Sequence, residues 1–433
     1  MTTKIKTTLL LAGLFFSTAA ATAAELPKLV LPAGVGVNIH FIEGHERDLD
    51  MIAAAGFKYI RMDLKWGLTE QKKGIYDWSG YDKLTRNLER RGLCAYYVLD
   101  YSNPLHEEMV MEKDHFTKRD QKVPVSPQHP ESVAAFARWA AAAAKHFQGR
   151  PVVWEIWNEP NIFFWKPQPD VNQYTALALA TMKAIRAADP QATIFAPAAS
   201  EFPWPFLESF FKAGALEYLD GVSVHPYRPA KQPPETVEKD YKKLRELIAR
   251  YQPPTRSEPV AIISGEWGYP THVKGVSLET QACFIVRQQL ANLMSGVPIS
   301  IWYDWKNDGN DPNEKEHNFG TVSPNLTPKP AYFAIKTLTH ELAGFAIRNR
   351  LPTEGTNDFV LVLTNAFGGT KLAAWTLGAP HSLTLPLQAR SEKELPVVDG
   401  GGVAGSLEIK NNSVTVPVSG LPRYVTLGQA QLP

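Results

Sequence analysis

Eight times in succession, the sequence pairs a short β-branched or aromatic run with a longer amphipathic stretch. The runs predict strands over residues 35–41, 59–66, 94–101, 152–157, 193–200, 221–227, 260–266 and 299–305. Between and after them the spacing predicts helices over 45–56, 81–91, 130–147, 173–188, 206–218, 235–251, 278–295 and 329–342. Parallel strands need such helical crossovers. The pattern therefore favours an α/β fold closed into a (β/α)8 TIM barrel, whose active site lies at the carboxyl ends of the strands.

An open doubly wound sheet is the alternative arrangement for the same alternation. Such a sheet usually has a glycine-rich phosphate-binding turn after its first strand. Residues 35–41 contain no such turn. The closed barrel is therefore the preferred interpretation.

The pattern changes near Ala346, where alternation with helices gives way to short strand-like runs separated by Gly, Pro and Asn. These runs predict a small antiparallel, β-sandwich-like accessory domain over 346–433, after a catalytic barrel over 25–345. A carbohydrate-binding role and a role in packing against the barrel are both open for this domain. We favour packing.

The first residues have the features of an export signal. Lys4 and Lys6 precede an apolar run over residues 9–16 and then small residues up to Ala23. This order predicts a signal peptide over 1–24 and a mature chain that is periplasmic or secreted. A membrane anchor is the alternative, but the run is far shorter than the roughly 20 apolar residues of a spanning helix. We expect no membrane association after cleavage.

The charge balance and the cysteine content narrow the possible partners. With 45 Lys and Arg against 44 Asp and Glu, the chain lacks the basic excess of a nucleic-acid-binding protein. Its only cysteines, Cys94 and Cys283, fall in a predicted strand and a distant predicted helix. We therefore expect two buried, inert thiols rather than a disulfide. As a separate expectation, the protein is a monomer.

Two glutamates come at the ends of predicted strands. Glu159 follows the fourth strand and is succeeded by Pro160, and Glu266 ends the apolar seventh strand. In a barrel, both would lie at the rim. Glycoside cleavage needs such a pair, because one carboxylic acid protonates the departing oxygen while an ionised carboxylate attacks or stabilises the sugar cation. Surface ion pairs are the alternative interpretation.

These residues bear a family resemblance over about residues 33–345. Asn158-Glu159-Pro160 after the fourth strand, with Glu266-Trp267 on the seventh, resembles clan A of the glycoside hydrolases. The segments 36–41, 61–63, 157–161 and 225–227 are most similar to family 39 and its relatives. The sequence also resembles exported endoglycosidases of bacterial exopolysaccharide systems, such as the Psl system.

The resemblance implies a role for each residue of the motif. Glu159 would be the acid/base, Glu266 the nucleophile, and Asn158 the donor to the sugar 2-hydroxyl. The reaction would retain configuration, which requires carboxyls about 5–5.5 Å apart. We expect an enzyme that cleaves β-glycosidic bonds within a polysaccharide or oligosaccharide substrate, specifically a bacterial exopolysaccharide. The alternatives are an exo-acting β-xylosidase-like enzyme and a non-catalytic polysaccharide-binding protein of an export system.

Arg61 is a candidate partner for these carboxylates. Alternation places it on the same face of the second strand as Asp63 and Lys65. It would either hold Glu266 ionised or pair with Glu155, which lies deeper on the fourth strand. Glu155 itself competes for the catalytic role, but a buried ion pair is the preferred interpretation.

Other candidate sugar contacts lie at strand ends. His225 and Tyr227 share one face of the sixth strand, where the clan has a His and a Tyr that orient the nucleophile and the sugar. His40, with Asn38, is a further candidate on the first strand. Aromatic faces suit sugar rings. Seven tryptophans at or just after strand ends predict an aromatic lid for the cleft, with residues 161–170 as one wall: Trp66, Trp157, Trp165, Trp204, Trp267, Trp302 and Trp305. Five of them are predicted to contact the sugar: Trp157, Trp165, Trp267, Trp302 and Trp305.

Metal-dependent, serine-dependent and phosphoryl-transfer chemistry find little support. The sequence has no HExxH spacing, no Cys/His cluster, no GxSxG elbow and no Walker-type loop. We therefore expect hydrolysis without a metal or another cofactor.

Overall fold

A computed structural model of the protein describes residues 26–388 and 392–432. The predicted signal peptide, 1–24, lies outside the described residues. Eight parallel strands close a barrel: Val35–Asn38, Tyr59–Lys65, Cys94–Asp100, Val152–Ile156, Thr193–Ser200, Gly221–His225, Ala261–Trp267 and Ser300–Trp302. Each strand pairs with its neighbours in the sequence, and the first pairs with the eighth. The predicted TIM barrel is confirmed.

Helices cover the outside of the barrel. The long ones are Glu46–Ala54, Ser79–Glu89, Pro130–His146, Val171–Ala188, Trp204–Lys212, Glu238–Tyr251, Leu278–Met294 and Pro330–Glu341. One helix was predicted too long, because Gly214, with φ of 87°, ends it and a short 3-10 turn, Ala215–Glu217, follows. No helix among the described residues is long and apolar enough to cross a membrane.

The barrel interior is layered by the alternation of side chains along its strands. An apolar layer lies at the amino ends of the strands and contains Tyr96, Val153, Phe195, Ile263, Ile299 and Ile301. The next inward positions toward the carboxyl ends include Arg61 on the second strand and Glu155 on the fourth, both buried. The buried side chains of Arg61 and Glu155 therefore lie directly above this apolar layer.

A β-hairpin interrupts the repeat after the third barrel strand and was not predicted. Its strands, Met109–Lys113 and Asp120–Pro124, pair antiparallel. Both are short and rich in charged residues, so they lack the apolar alternation that marks a half-buried strand. The hairpin turn reaches the mouth of the barrel, as described below.

Over its described residues, the C-terminal region forms one antiparallel sheet of eight strands. They are Phe345–Arg350, Asp358–Asn365, Thr370–Thr376, His381–Pro386, Glu394–Val398, Ala404–Lys410, Ser413–Val418 and Arg423–Thr426. Phe345–Arg350 and Glu394–Val398 were not predicted. On the strand Asp358–Asn365, alternate residues join different cores: Phe359 and Leu361 pack with the barrel, and Val360 and Val362 pack within the sheet.

A polar contact also joins the sheet to the barrel. Both oxygens of buried Glu235 accept hydrogen bonds from Arg287, at 2.7 and 2.8 Å. The indole Nε1 of Trp375, on the sheet, donates to the same carboxylate at 2.8 Å. The C-terminal sheet therefore packs against the barrel, and the choice between a packing role and a carbohydrate-binding role stays a prediction.

The two cysteines are free thiols. Burial raises the pKa of the Cys94 thiol to about 12, and burial also raises the pKa of Cys283. Both side chains are therefore protonated and unreactive at neutral pH, as predicted.

Candidate active site

Glu159 and Glu266 meet at the carboxyl mouth of the barrel. Both are buried and both line a cavity of about 580 Å³. One carboxylate oxygen of each lies within 4.8 Å of the other and of a ring nitrogen of His225. The structure therefore brings together the two acids that the sequence places 107 positions apart.

The backbone holds Glu159 in position after the fourth strand. Its N–H donates to the carbonyl of Ala198, on the fifth strand, at 3.0 Å. Its φ of 45° lies in the left-handed region that non-glycine residues seldom adopt. Strain of this kind occurs where a surrounding structure dictates the placement of a functional side chain.

Arg61 forms hydrogen bonds with both of its expected partners, Glu266 and Glu155. Its Nη1 donates to Oε2 of Glu266 at 2.6 Å, and its Nε donates to Oε2 of Glu155 at 2.8 Å. The same guanidinium donates to the side-chain oxygens of Asn158 and Asn38, at 2.8 and 3.2 Å. A fully buried cation thus organises the floor of the site through charge-assisted hydrogen bonds.

Glu155 lies beneath the cavity and does not line it. It is fully buried and accepts hydrogen bonds from the hydroxyls of Tyr96, at 2.7 Å, and Ser223. A Cβ at the neighbouring Gly265 would lie 2.3 Å from Ser223 Oγ and 2.8 Å from the Glu155 carboxylate, so only glycine leaves room for this network. Glu155 is therefore a buried ion-pair partner and not the catalytic acid.

His225 contacts the first of the two acids. Its Nδ1 lies 3.0 Å from Oε1 of Glu159, and its Nε2 lies 3.5 Å from a nitrogen of Arg61. Guanidinium nitrogens only donate, so Nε2 accepts and we assign the ring proton to Nδ1, which donates to Glu159. This hydrogen bond uses Oε1 of Glu159 and leaves its Oε2 free of contact with His225.

Tyr227 contacts the second acid. Its hydroxyl donates to Oε1 of Glu266 at 2.7 Å. Burial, together with the nearby charge of Glu266, raises the pKa of Tyr227 far above its ordinary value, so the hydroxyl stays a donor. Glu266 therefore faces a guanidinium and a hydroxyl, whereas Glu159 is hydrogen-bonded to the imidazole of His225 within the described residues. The two carboxylates thus have different hydrogen-bond partners, as an acid and a nucleophile need.

Asn158 and His40 also line the cavity. The bond from Arg61 fixes the oxygen of the Asn158 amide, which leaves its NH₂ group as a donor. His40 is half-exposed, with Nδ1 2.9 Å from Asp308 and 3.7 Å from Asp304. Burial alone would lower the pKa of His40, but these two aspartates outweigh it and raise the pKa to about 9. His40 is therefore a cationic donor at neutral pH.

The predicted tryptophan lid is not found. The five tryptophans predicted to contact sugar are buried, and none of them lines the cavity: Trp157, Trp165, Trp267, Trp302 and Trp305. They belong to the apolar core between the barrel and its helices. Strand-end position alone did not show whether each indole points toward the cleft or toward the helices.

Smaller aromatic rings form one wall of the cavity instead. Phe163 and Phe164, in the predicted wall segment, line it together with residues that the sequence analysis missed. Tyr101 stacks on Phe164 with ring centres 5.9 Å apart, and His115 stacks on Phe163 at 3.8 Å. His115 and the half-exposed Phe116 come from the turn of the hairpin, which had no signal in the sequence pattern.

Another wall of the cavity comes from the segment after the eighth strand. Tyr303, Lys315, Glu316 and Phe319 line it. Burial raises the pKa of the Glu316 carboxyl, and the nearby charge of Glu266 adds to this shift. Tyr303 lies within the predicted eighth strand, 299–305, so the sequence pattern places it near the cleft.

Two groups of side chains at the cleft have the donors of a cation site. One is Glu159 with His225 and Glu266, and the other is His40 with Asp304 and Asp308. The hydrogen bonds described above already account for most of these donors. A third group lies outside the cleft and is treated below.

Comparisons with known proteins identify the family of the chain. The cellulase family model (glycosyl hydrolase family 5) matches residues 33–309. No curated protein is significantly similar to the chain in sequence. Among solved structures, a family 39 glycoside hydrolase from Bacteroides cellulosilyticus WH2 superposes with a TM-score of 0.78 at 24% identity, covering 93% of this chain and 82% of that chain.

Two further structures share the fold. A monomeric β-xylosidase from Caulobacter crescentus CB15 has a TM-score of 0.66 at 17% identity, covering 92% of this chain and 96% of that one. A family 30 endoxylanase from Clostridium papyrosolvens C71 has a TM-score of 0.64 at 12% identity, covering 95% and 99%. The resemblance to family 39 is thus confirmed at the level of structure.

The family match covers the barrel from before its first strand to beyond its eighth, and so includes both glutamates. The chain belongs to the cellulase family, glycosyl hydrolase family 5, and is a clan A glycoside hydrolase.

Proposed function

We propose that the protein is a retaining β-glycosidase that cleaves within a polysaccharide chain, with Glu159 as acid/base and Glu266 as nucleophile. The supporting observation is the pair itself: two carboxylates on one cavity, with oxygens within 4.8 Å and with different partners. Such proximity suits direct attack, because an inverting enzyme holds its carboxyls roughly 6.5–9.5 Å apart to admit a water.

The first step forms a covalent intermediate. Glu159 gives its proton to the glycosidic oxygen while Glu266 attacks the anomeric carbon from the opposite side, so the bond to the leaving alcohol breaks as the glycosyl ester forms. In the second step, the Glu159 carboxylate takes a proton from water, whose oxygen attacks the same carbon. Glu266 leaves as a carboxylate, and two inversions give net retention.

The aromatic wall supports action within a chain. It runs from Tyr101 and Phe164, beside the catalytic residues, to His115 and Phe116 on the hairpin. A series of ring faces can hold more than one sugar at once. An exo-acting enzyme is the second candidate, because a β-xylosidase is among the structural neighbours.

The test uses small nucleophiles in place of the missing carboxylate. Glu266→Ala should lose hydrolysis of an activated aryl β-glycoside and, with azide, form the α-glycosyl azide. Glu159→Ala should form the β-glycosyl azide instead. Glu201→Gln, at an exposed carboxylate that lines the same cavity, is the control and should keep most activity. Wild-type turnover in either alanine variant, or a first-formed product of inverted configuration by NMR, would overturn the assignment.

Product sizes distinguish the two modes of action. Early digestion of a bacterial exopolysaccharide, the substrate class we propose, should release oligomers of mixed length. Monosaccharide alone in the first minutes would indicate the exo-acting enzyme. Intact binding without any cleavage would support the polysaccharide-binding alternative.

We also propose that the mature chain is exported and monomeric. The proposal of export rests on the basic, apolar and small-residue order of residues 1–24. Amino-terminal sequencing of the protein recovered from periplasm or medium should begin at Ala24 or Glu25. Light scattering should give the mass of one chain.

A further inference from the structure

Three potential metal ligands meet at the base of the hairpin, away from the two catalytic glutamates. Glu107 and Glu108 directly precede the hairpin strand Met109–Lys113, and His129 directly precedes the helix Pro130–His146. Nε2 of His129 lies 3.2 Å from Oε2 of Glu108 and 3.6 Å from Oε2 of Glu107. One ligand atom of each residue lies within 4.8 Å of the other two.

Glu107 contributes a buried oxygen that lacks a hydrogen bond. Its Oε1 accepts from the N–H of Gln128, at 2.8 Å, and from the hydroxyl of Ser132, near the start of the helix. Its Oε2, on a side chain with no exposed surface, accepts no hydrogen bond from the described residues and faces His129. A buried polar atom in this state needs an explanation, because leaving it unsatisfied is unfavourable.

We infer that Glu107, Glu108 and His129 bind a divalent transition-metal ion of the Zn²⁺ or Mn²⁺ type. Two carboxylates supply negative charge, and imidazole nitrogen favours these ions over Ca²⁺ or Mg²⁺. A tetrahedral Zn²⁺ ion with bonds of about 2.0–2.1 Å holds its ligand atoms about 3.3–3.4 Å apart. The separations of 3.2 and 3.6 Å bracket this value. Glu108 and His129 are half-exposed, so water can complete the coordination.

The ion would join two elements that the chain otherwise connects through a loop. It would tie the first strand of the hairpin to the amino end of a barrel helix. The hairpin turn bears His115, Phe116 and Lys118, which line the active-site cavity. The ion would therefore position one wall of the cleft without taking part in the chemistry.

Binding is best measured directly. The mature chain is freed of metal with a chelator and titrated with Zn²⁺ and with Mn²⁺ by calorimetry, and its thermal unfolding is followed with and without each ion. We expect one site at this cluster and a higher unfolding temperature with the ion, because a ligand of the native state stabilises it.

Variants assign the site to the cluster. Glu108→Gln and His129→Gln should each weaken binding at least about tenfold and abolish the thermal shift, and both side chains are exposed enough for the fold to tolerate the change. Glu131→Gln, an exposed neighbour, and Glu266→Gln, in the catalytic group, should leave this binding unchanged. The inference is overturned if the wild-type chain binds neither ion, if Glu108→Gln binds as wild type does, or if only Glu266→Gln loses binding.

Discussion

Arg61 places Nη1 2.6 Å from the carboxylate of Glu266, the proposed nucleophile, while its Nε donates to Glu155 in the layer beneath. One buried cation thus serves two buried carboxylates. The guanidinium that pairs with Glu266 is the same group that pairs with Glu155, so the stability of the barrel and the chemistry of the cleft depend on one side chain.

Removing this cation should therefore harm both stability and activity. Arg61→Met leaves two buried carboxylates without their partner, and we expect the free energy of unfolding to fall by roughly 3–5 kcal/mol, with loss of hydrolysis. Urea unfolding measures the change. Arg91→Met is the control, because Arg91 pairs with exposed Glu46 and Asp50, and its loss should cost at most about 1 kcal/mol. Equal stability of the two variants would contradict this prediction.

Tyr227 should act through its hydrogen bond to Glu266. Tyr227→Phe removes one donor to a charged group, which is worth about 1.5–3 kcal/mol, so we expect kcat to fall roughly ten- to hundredfold. Because the ring remains but the hydrogen bond is lost from the folded chain as well, the fold should persist with a modestly lower unfolding temperature. Steady-state kinetics and thermal unfolding together check this, and an unchanged kcat would show that the hydroxyl does not support the nucleophile.

His40 should make stability depend on pH in the alkaline range. The pKa of His40 is raised to about 9 in the folded chain, against about 6.5 in an unfolded chain. The stabilisation is therefore complete below about pH 6.5, declines as the pH rises and is lost above about 9. Urea midpoints of wild type and His40→Asn should differ at pH 6 and converge near pH 10. An NMR titration of the imidazole near pH 6.5 would refute this.

The aromatic wall should matter for long substrates and not for short ones. Phe163→Ala removes the ring on which His115 stacks. We expect a several-fold higher KM on polysaccharide and nearly unchanged kcat/KM on an aryl monoglycoside, because only the longer chain reaches that part of the wall. If both substrates suffer equally, the wall supports the catalytic residues rather than distant sugars.

The junction at Glu235 should contribute to stability alone. Glu235→Ala leaves buried Arg287 without its counter-charge and removes the acceptor of Trp375, so we expect a loss of roughly 3–5 kcal/mol. The folded variant should keep its kcat, because Glu235 does not line the cavity. Glu238→Ala, three residues further along and exposed, is the matched control.

The barrel and its two glutamates were predictable because each depends on a short-range rule. Side chains alternate along a strand, and the carboxyl ends of parallel strands meet at one mouth, so Glu159 and Glu266 could be placed without coordinates. The same alternation also argues against Trp267 as a sugar contact, since neighbours on a strand face opposite sides and Glu266 takes the cleft side.

The hairpin wall was not predictable in the same way. His115 and Phe116 reach the cavity through a turn between two strands rich in charged residues. Neither residue belongs to a periodic segment, and their contacts with Phe163 join parts of the chain more than 40 positions apart. Contacts of this kind depend on the tertiary structure and leave no local pattern.

The strand Asp358–Asn365 contributes alternate side chains to the barrel core and to the core of the C-terminal sheet. The barrel therefore does not form an independent domain. A chain that ended at residue 345 would expose to water the apolar surface of the barrel that Phe359, Leu361 and Trp375 now cover. We therefore expect the barrel and the C-terminal sheet to unfold together, and an engineered version of the hydrolase should keep both.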